Sequence, residues 1–176
     1  MDSDRDIVDA LIQLFGMQPL PIEGGFYTQT YQSPEQIGQD ALPERYQTDK
    51  PSGTAILYLY TGDPDCFSAL HRLPTDEIYH FYLGDPVEML LLYPDGLSAR
   101  VVLGQDVFHG QQIQFVTPRG VWQASHLIDG GRYALTGTTM APGYTEGDYE
   151  GGEREALIRQ YPGEAELIRR LTRVEI

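Results

Sequence analysis

Ser68-Ala-Leu-His71-Arg-Leu-Pro-Thr-Asp-Glu77-Ile-Tyr-His80-Phe-Tyr-Leu-Gly84 is the stretch on which the reading of this chain turns. A histidine enters a proline-containing turn, an acidic residue opens the next strand six positions later, and a glycine closes that strand after six more residues. Alternation along that strand puts Glu77, Tyr79 and Phe81 on one face and Ile78, His80 and Tyr82 on the other. Further on, Pro118-Arg-Gly120-Val-Trp-Gln123 supplies a second tight turn entering a strand.

Outward from this stretch the pattern is β throughout. Short strands are predicted at 54–60, 66–71, 77–83, 87–93, 97–103, 112–117, 121–128 and 132–139, with turn residues between them, Pro94-Asp-Gly96 being a hairpin signal. Strands in succession without intervening helices predict an antiparallel sandwich or barrel. Residues 87–93 lack clean alternation, which predicts a strand covered on both faces. Upstream, residues 1–16 read as a helix, with Ser3 as cap, Ile7, Leu11, Leu14 and Phe15 at helical spacing, and Gly16 as its stop. A strand follows at 26–31. Residues 33–53 are polar and irregular, a long surface loop of the kind that covers a site or reaches a partner chain. Within 153–173, two short amphipathic helices split by Pro162-Gly163 are expected to pack on the barrel. The expectation is one domain over 1–176, all-β, with its barrel at 26–140.

Composition narrows the function classes. Twelve basic against 26 acidic residues give a net charge of −14 among 176 residues. Such a chain repels phosphate backbones and anionic lipid, so neither nucleic acid nor a membrane is expected as a partner. Cys66 is the one cysteine, which excludes an internal disulfide and a cysteine zinc cluster. No apolar run approaches a membrane span, and the acidic N-terminus is unlike a signal peptide, so a cytoplasmic protein is expected.

The two quoted motifs resemble the cupin superfamily, whose first motif runs His-x-His, three or four residues, Glu, six residues, Gly, and whose second places a histidine three positions after Pro-x-Gly. His71, Glu77, Gly84, Pro118 and Gly120 match with that spacing. Glu23-Gly-Gly25-Phe-Tyr, Thr54-Ala-Ile, Leu70-His-Arg-Leu73, Asp76-Glu-Ile-Tyr-His80-Phe and Ala141-Pro-Gly143 resemble the cupin-5 group in particular, formerly a domain of unknown function. The resemblance implies a double-stranded β-helix (a jelly-roll barrel, as in the RmlC-like proteins) with an N-terminal helix, short C-terminal helices and a homodimeric assembly. Outward-facing Ile78, His80 and Tyr82 add apolar surface for such a dimer.

Three chemistries are compatible with the interior residues. Metal cupins gather three imidazoles and a carboxylate; here His71 and Glu77 remain, but Leu73 and Gln123 occupy the other ligand positions, so His71, Glu77 and Gln123 make at most a weak site for a divalent transition metal. Metal-free epimerases of the superfamily use a histidine as base and a tyrosine as acid, which points to isomerase-type chemistry with His71 as base, Glu77 to fix its tautomer, and Tyr79 or Tyr133 as acid, no cofactor being required. The third is a non-catalytic pocket for a small polar molecule, lined by Glu23, Phe67, Phe81, Gln114, Gln123 and Tyr144.

Overall fold

The structure is a computed structural model and describes residues 4–21 and 23–173. Helix α1 (Asp4–Phe15) ends where Gly16 takes a φ of 60°, a left-handed stop that glycine adopts without strain. The expected cap Ser3 lies outside the described residues. The strands that follow are β1 (Gln18–Pro19), β2 (Phe26–Gln32), β3 (Gln36–Ile37), β4 (Lys50–Pro51), β5 (Thr54–Thr61), β6 (Phe67–Arg72), β7 (Glu77–Gly84), β8 (Val87–Leu92), β9 (Ser98–Leu103), β10 (Gln114–Thr117), β11 (Trp122–Leu127), β12 (Tyr133–Met140) and β13 (Glu150–Gly151). Helices α2 (Arg154–Gln160) and α3 (Ala165–Arg170) close the chain.

One sheet has the order β1-β2-β5-β12-β7-β10 and the other β13-β6-β11-β8-β9, with antiparallel pairing of neighbours in both. The inner faces share a core of Tyr58, Tyr60, Tyr79, Phe81, Val87, Met89, Leu91 and Leu127. Leu11, Ile12 and Phe26 pack with Met17, Leu59 and Leu135 on the outer face of the first sheet, beneath α1. Leu157, Ile168 and Leu171 pack on Leu90, Leu92 and Ala124 on the outer face of the second. This explains the unbroken apolar run at 87–92. Val87, Met89 and Leu91 point into the barrel, Leu90 and Leu92 point at α2 and α3, and all five are fully buried. The second cover is the chain's own C-terminal helices.

Residues 33–53 are more ordered than their polarity suggests. β3 pairs with β4, and Tyr46 and Lys50 are buried. The Tyr46 hydroxyl bonds Thr75 Oγ1 at 2.9 Å, and the Lys50 ammonium is bound by Asp148 and Thr145. A buried lysine needs such a partner, and Asp148 lies 98 residues away in sequence, so no local pattern announced it.

The feature that positions the site is a bulge in β6. His71 pairs with Gln123 of β11 and Ser68 with Ser125, so Ala69 and Leu70 together oppose the single residue Ala124. The extra residue resets the alternation. Ser68 and His71, on opposite faces of a regular strand, both turn into the barrel, while Phe67 and Leu70 turn toward the helices.

Among the described residues no helix is long and apolar enough to cross a membrane. Among the same residues no helix covers the outer face of β7 and β10: Tyr82, Val116 and the neighbouring Ile113 are exposed.

Candidate functional site

His71 is 2% exposed and held at both nitrogens. Its Nδ1 lies 2.7 Å from the carbonyl of Ala69, which the bulge frees for this bond, so Nδ1 carries the proton and donates. Nε2 accepts from the Gln123 amide at 3.3 Å. The same Gln123 amide nitrogen donates to Glu77 Oε2 at 2.6 Å, and the Tyr79 hydroxyl donates to that oxygen at 3.1 Å. Nε2 stands 4.0 Å from Glu77 Oε2 and 4.0 Å from Glu23 Oε1. One imidazole therefore faces two carboxylates.

Glu23 arrives from a different part of the chain. Its Oε1 accepts from Ser68 Oγ at 2.6 Å and its carbonyl accepts from the backbone N–H of Ala69. The two glycines after it permit this approach. Gly24 has a φ of 107°, and a Cβ there would lie 2.2 Å from the Phe67 carbonyl; one on Gly25 would lie 2.4 Å from the Tyr58 hydroxyl. The Tyr58 hydroxyl in turn donates to the Gly24 carbonyl at 2.6 Å.

Burial sets the protonation of the interior acids. It raises the Glu77 carboxyl above the usual carboxylate range, against the opposing pull of His71. Burial also raises the Tyr79 phenol well above its ordinary value, with Glu77 adding to the effect. Tyr144, partly exposed, is pushed up to about 12 by burial and then by Glu23. Tyr149 is raised as well, by burial first and Glu23 second, and its ring stacks on that of His71 with centroids 5.2 Å apart.

The residues expected from the sequence separate into two groups. His71, Glu77, Tyr79 and Gln123 meet inside the barrel, Glu23 reaches them, and Phe81 lies in the adjoining core. Three expected pocket residues face elsewhere. Phe67 is turned by the bulge into the cluster under α2 and α3, where the Arg173 guanidinium lies over its ring. Gln114 pairs with His80, and because directly paired residues share a face, both point outward; their side chains bond at 3.2 Å. Tyr133 shares the face of Leu135 and packs with the α1 cluster, which removes it as an acid in the barrel. Ser68 and Tyr149 are the site neighbours that sequence reasoning missed. Ser68 was hidden by the bulge, and Tyr149 sits in a Gly- and Glu-rich segment without periodicity.

A family model described as Cupin superfamily (DUF985), Cupin_5, matches residues 9–151. The chain belongs to this cupin family. Among its relatives, this cupin is 27% identical over 135 residues to the uncharacterized protein YML079W of Saccharomyces cerevisiae, a match covering 72% of this chain and 66% of that protein. The crystal structure of protein SO0799 from Shewanella oneidensis is 28% identical with a TM-score of 0.81, over 95% of this chain and 98% of that one. Oxalate decarboxylase of Bacillus subtilis, studied for its Mn(II) centres, shares the fold at 14% identity and a TM-score of 0.50, over 92% of this chain and 39% of that one.

The donor set of this cupin does not fit a tightly held metal of that kind. Leu73 offers no ligand atom, and Gln123 turns an N–H toward both His71 Nε2 and Glu77 Oε2, the atoms that a cation would need. Among the described residues, no group of three His, Cys, Asp or Glu side chains has the arrangement of a metal site.

The raised Glu77 makes a pH prediction. A carboxyl raised by folding binds more protons in the native state, so its contribution to stability falls as pH rises from the ordinary carboxylate value through the raised one. Glu77→Gln keeps an acceptor for Gln123 and Tyr79 and removes that titration. The expected result is a Tm at neutral pH at or a few degrees above wild type, with a flatter Tm–pH curve above pH ~4.5. A Tm several degrees lower at neutral pH would show that the site depends on an ionised Glu77.

Proposed function

We propose that this cupin binds a small polar, sugar-like molecule and catalyses proton transfer next to its carbonyl group, as an isomerase or epimerase does. The observation that carries the reading is the setting of His71: Nδ1 is held as donor by the Ala69 carbonyl, which makes Nε2 the accepting nitrogen, facing Glu23 and Glu77 and engaged by a 3.3 Å contact from the Gln123 amide that a substrate must displace. An imidazole with a fixed accepting nitrogen is suited to remove a proton from carbon. Glu77, with Tyr79 hydrogen-bonded to it, stands 4.0 Å from Nε2 as the group placed to return a proton. His71 Nε2 takes the proton from the carbon beside the carbonyl, the electron pair moves onto the carbonyl oxygen, and reprotonation restores a neutral product. Half-buried Glu23 and Tyr149 stand against the imidazole.

His71→Asn tests this reading. Asparagine can keep the hydrogen bond to the Ala69 carbonyl while deleting the basic nitrogen, whereas alanine would strand buried partners at a cost of about 1–3 kcal/mol. In D2O, NMR of a panel of aldoses, ketoses and their phosphates is expected to reveal exchange of a C–H beside the carbonyl. His71→Asn should lower that rate by roughly 100-fold or more, and EDTA treatment should leave the wild-type rate unchanged. No exchange on any compound, exchange that survives His71→Asn, or exchange abolished by EDTA would each overturn the proposal.

Self-association is part of the same proposal. The outer face of β7 and β10 presents Ile78, Tyr82 and Val116 with His80 and Gln114, and carries no Asp, Glu, Lys or Arg in a chain of net charge −14. Two copies can meet there without the repulsion that the rest of the surface imposes, and a two-fold pair closes the uncovered face. Sedimentation at micromolar concentration should give a dimer for the wild type and a monomer for Val116→Asp. A wild-type monomer would contradict the assignment, as would an undisturbed dimer in the variant.

A further inference from the structure

A groove of about 590 Å³ lies beside the site, and Tyr149, whose ring stacks on His71, forms part of its wall. Four of the chain's 12 basic residues line it: Arg45, Lys50, Arg72 and Arg119. They come from four segments brought together around the turn between β6 and β7. Arg45 Nε donates to the Pro74 carbonyl at 3.0 Å, and the backbone N–H of Gly120, next to Arg119, donates to the Leu73 carbonyl at 2.9 Å.

The charges in the groove do not cancel. Lys50 is bound by Asp148, and Arg72 makes a two-pronged contact with Glu150, Nε and Nη2 each at 2.7 Å. Arg45 has no carboxylate partner among the described residues; its guanidinium lies over the Tyr46 ring, 4.7 Å from the centroid. Arg119 bonds Asp76 through its backbone N–H alone, and its side chain has no partner among the described residues. Two guanidinium groups of the groove thus have no carboxylate partner among the described residues. Gly120 and Gly147, also in the wall, leave open space where a side chain would stand, so a ligand can approach the backbone.

We infer that this groove holds the phosphate group of a phosphorylated small molecule whose uncharged end reaches His71 past Tyr149. The inference rests on the reading of His71 as the proton-transfer residue and adds the substrate class to it. The Arg119 guanidinium, together with the outer edge of Arg45, whose Nε is taken by the Pro74 carbonyl and whose Nη2 lies 3.4 Å from the Tyr46 hydroxyl, supplies two positive charges for the roughly two negative charges and the tetrahedral oxygens of a phosphate monoester. The net charge of −14 repels anions at long range, so an anion retained here is held by these local contacts and not by the overall field.

Inorganic phosphate is the direct probe, since it has no reactive carbon and reports on the groove without any turnover. Calorimetric titration at an ionic strength matched with sodium chloride should give saturable binding to wild type. Arg119→Gln should weaken it about tenfold and the Arg45→Gln, Arg119→Gln pair further. Both side chains are exposed, and that of Arg119 has no hydrogen bond or ion pair among the described residues, so Arg119→Gln is expected to fold as wild type and a melting curve checks this. Absence of saturable binding, or undiminished binding in the folded Arg119→Gln variant, would overturn the assignment. Carbon–hydrogen exchange on unphosphorylated sugars without phosphate binding would discard the groove and leave the reading of His71 intact. Phosphate binding lost on Arg119→Gln, without exchange on any compound, would support the groove and discard the reading of His71.

Discussion

One extra residue in β6 determines what the interior of this barrel can do. A regular strand would send Ser68 and His71 to opposite faces; the bulge at Ala69 and Leu70 sends both inward. It also releases backbone groups that a regular ladder would consume. The Ala69 N–H takes the Glu23 carbonyl, the Ala69 carbonyl takes His71 Nδ1, and the Leu70 N–H takes the Leu171 carbonyl beyond α3. The segment after α1, the catalytic candidate and the C-terminal segment are therefore all tied to the same two residues. A change that regularised the strand would displace them together.

The barrel core is divided by polarity. Toward β8 it is apolar, with Val87, Met89 and Leu91 against Tyr79 and Phe81; toward the start of β7 it gathers His71, Glu77, Gln123 and Ser68, with Glu23 arriving from outside the barrel strands. Burying such groups is costly unless each is hydrogen-bonded, and nearly all are. Gln123 Oε1 is a buried oxygen without a partner, on the side chain whose amide nitrogen serves both His71 and Glu77.

The fold was legible because its signals are local. Turn residues at regular spacing and the motif spacing from His71 through Glu77 to Gly84 are properties of short windows, and alternation along β7 correctly turns Glu77, Tyr79 and Phe81 inward and His80 outward. The site was legible only where a strand stays regular. Phe67 was misplaced because nothing in Cys66-Phe-Ser-Ala-Leu70 marks a bulge, and Gln114 because its face depends on a register with His80, 34 residues away. Tyr133 faces outward because β12 pairs with β5 so that Tyr133 follows Leu135 and Leu59 under α1. Tyr149 and the Lys50–Asp148 pair depend on chain closure over long separations, which composition and periodicity do not encode.

The central claim is that the protein presents His71 Nε2 as an unprotonated base, with its proton held on Nδ1. Long-range 1H–15N NMR of the imidazole rings measures this directly, and the chain has only four histidines to assign. The account predicts that the His71 pair at neutral pH has a protonated Nδ1 and an unprotonated Nε2, a pattern absent from the spectrum of His71→Asn. A proton resident on Nε2 would contradict it, because the nitrogen facing Glu23 and Glu77 would then be a donor with no lone pair to accept a substrate proton.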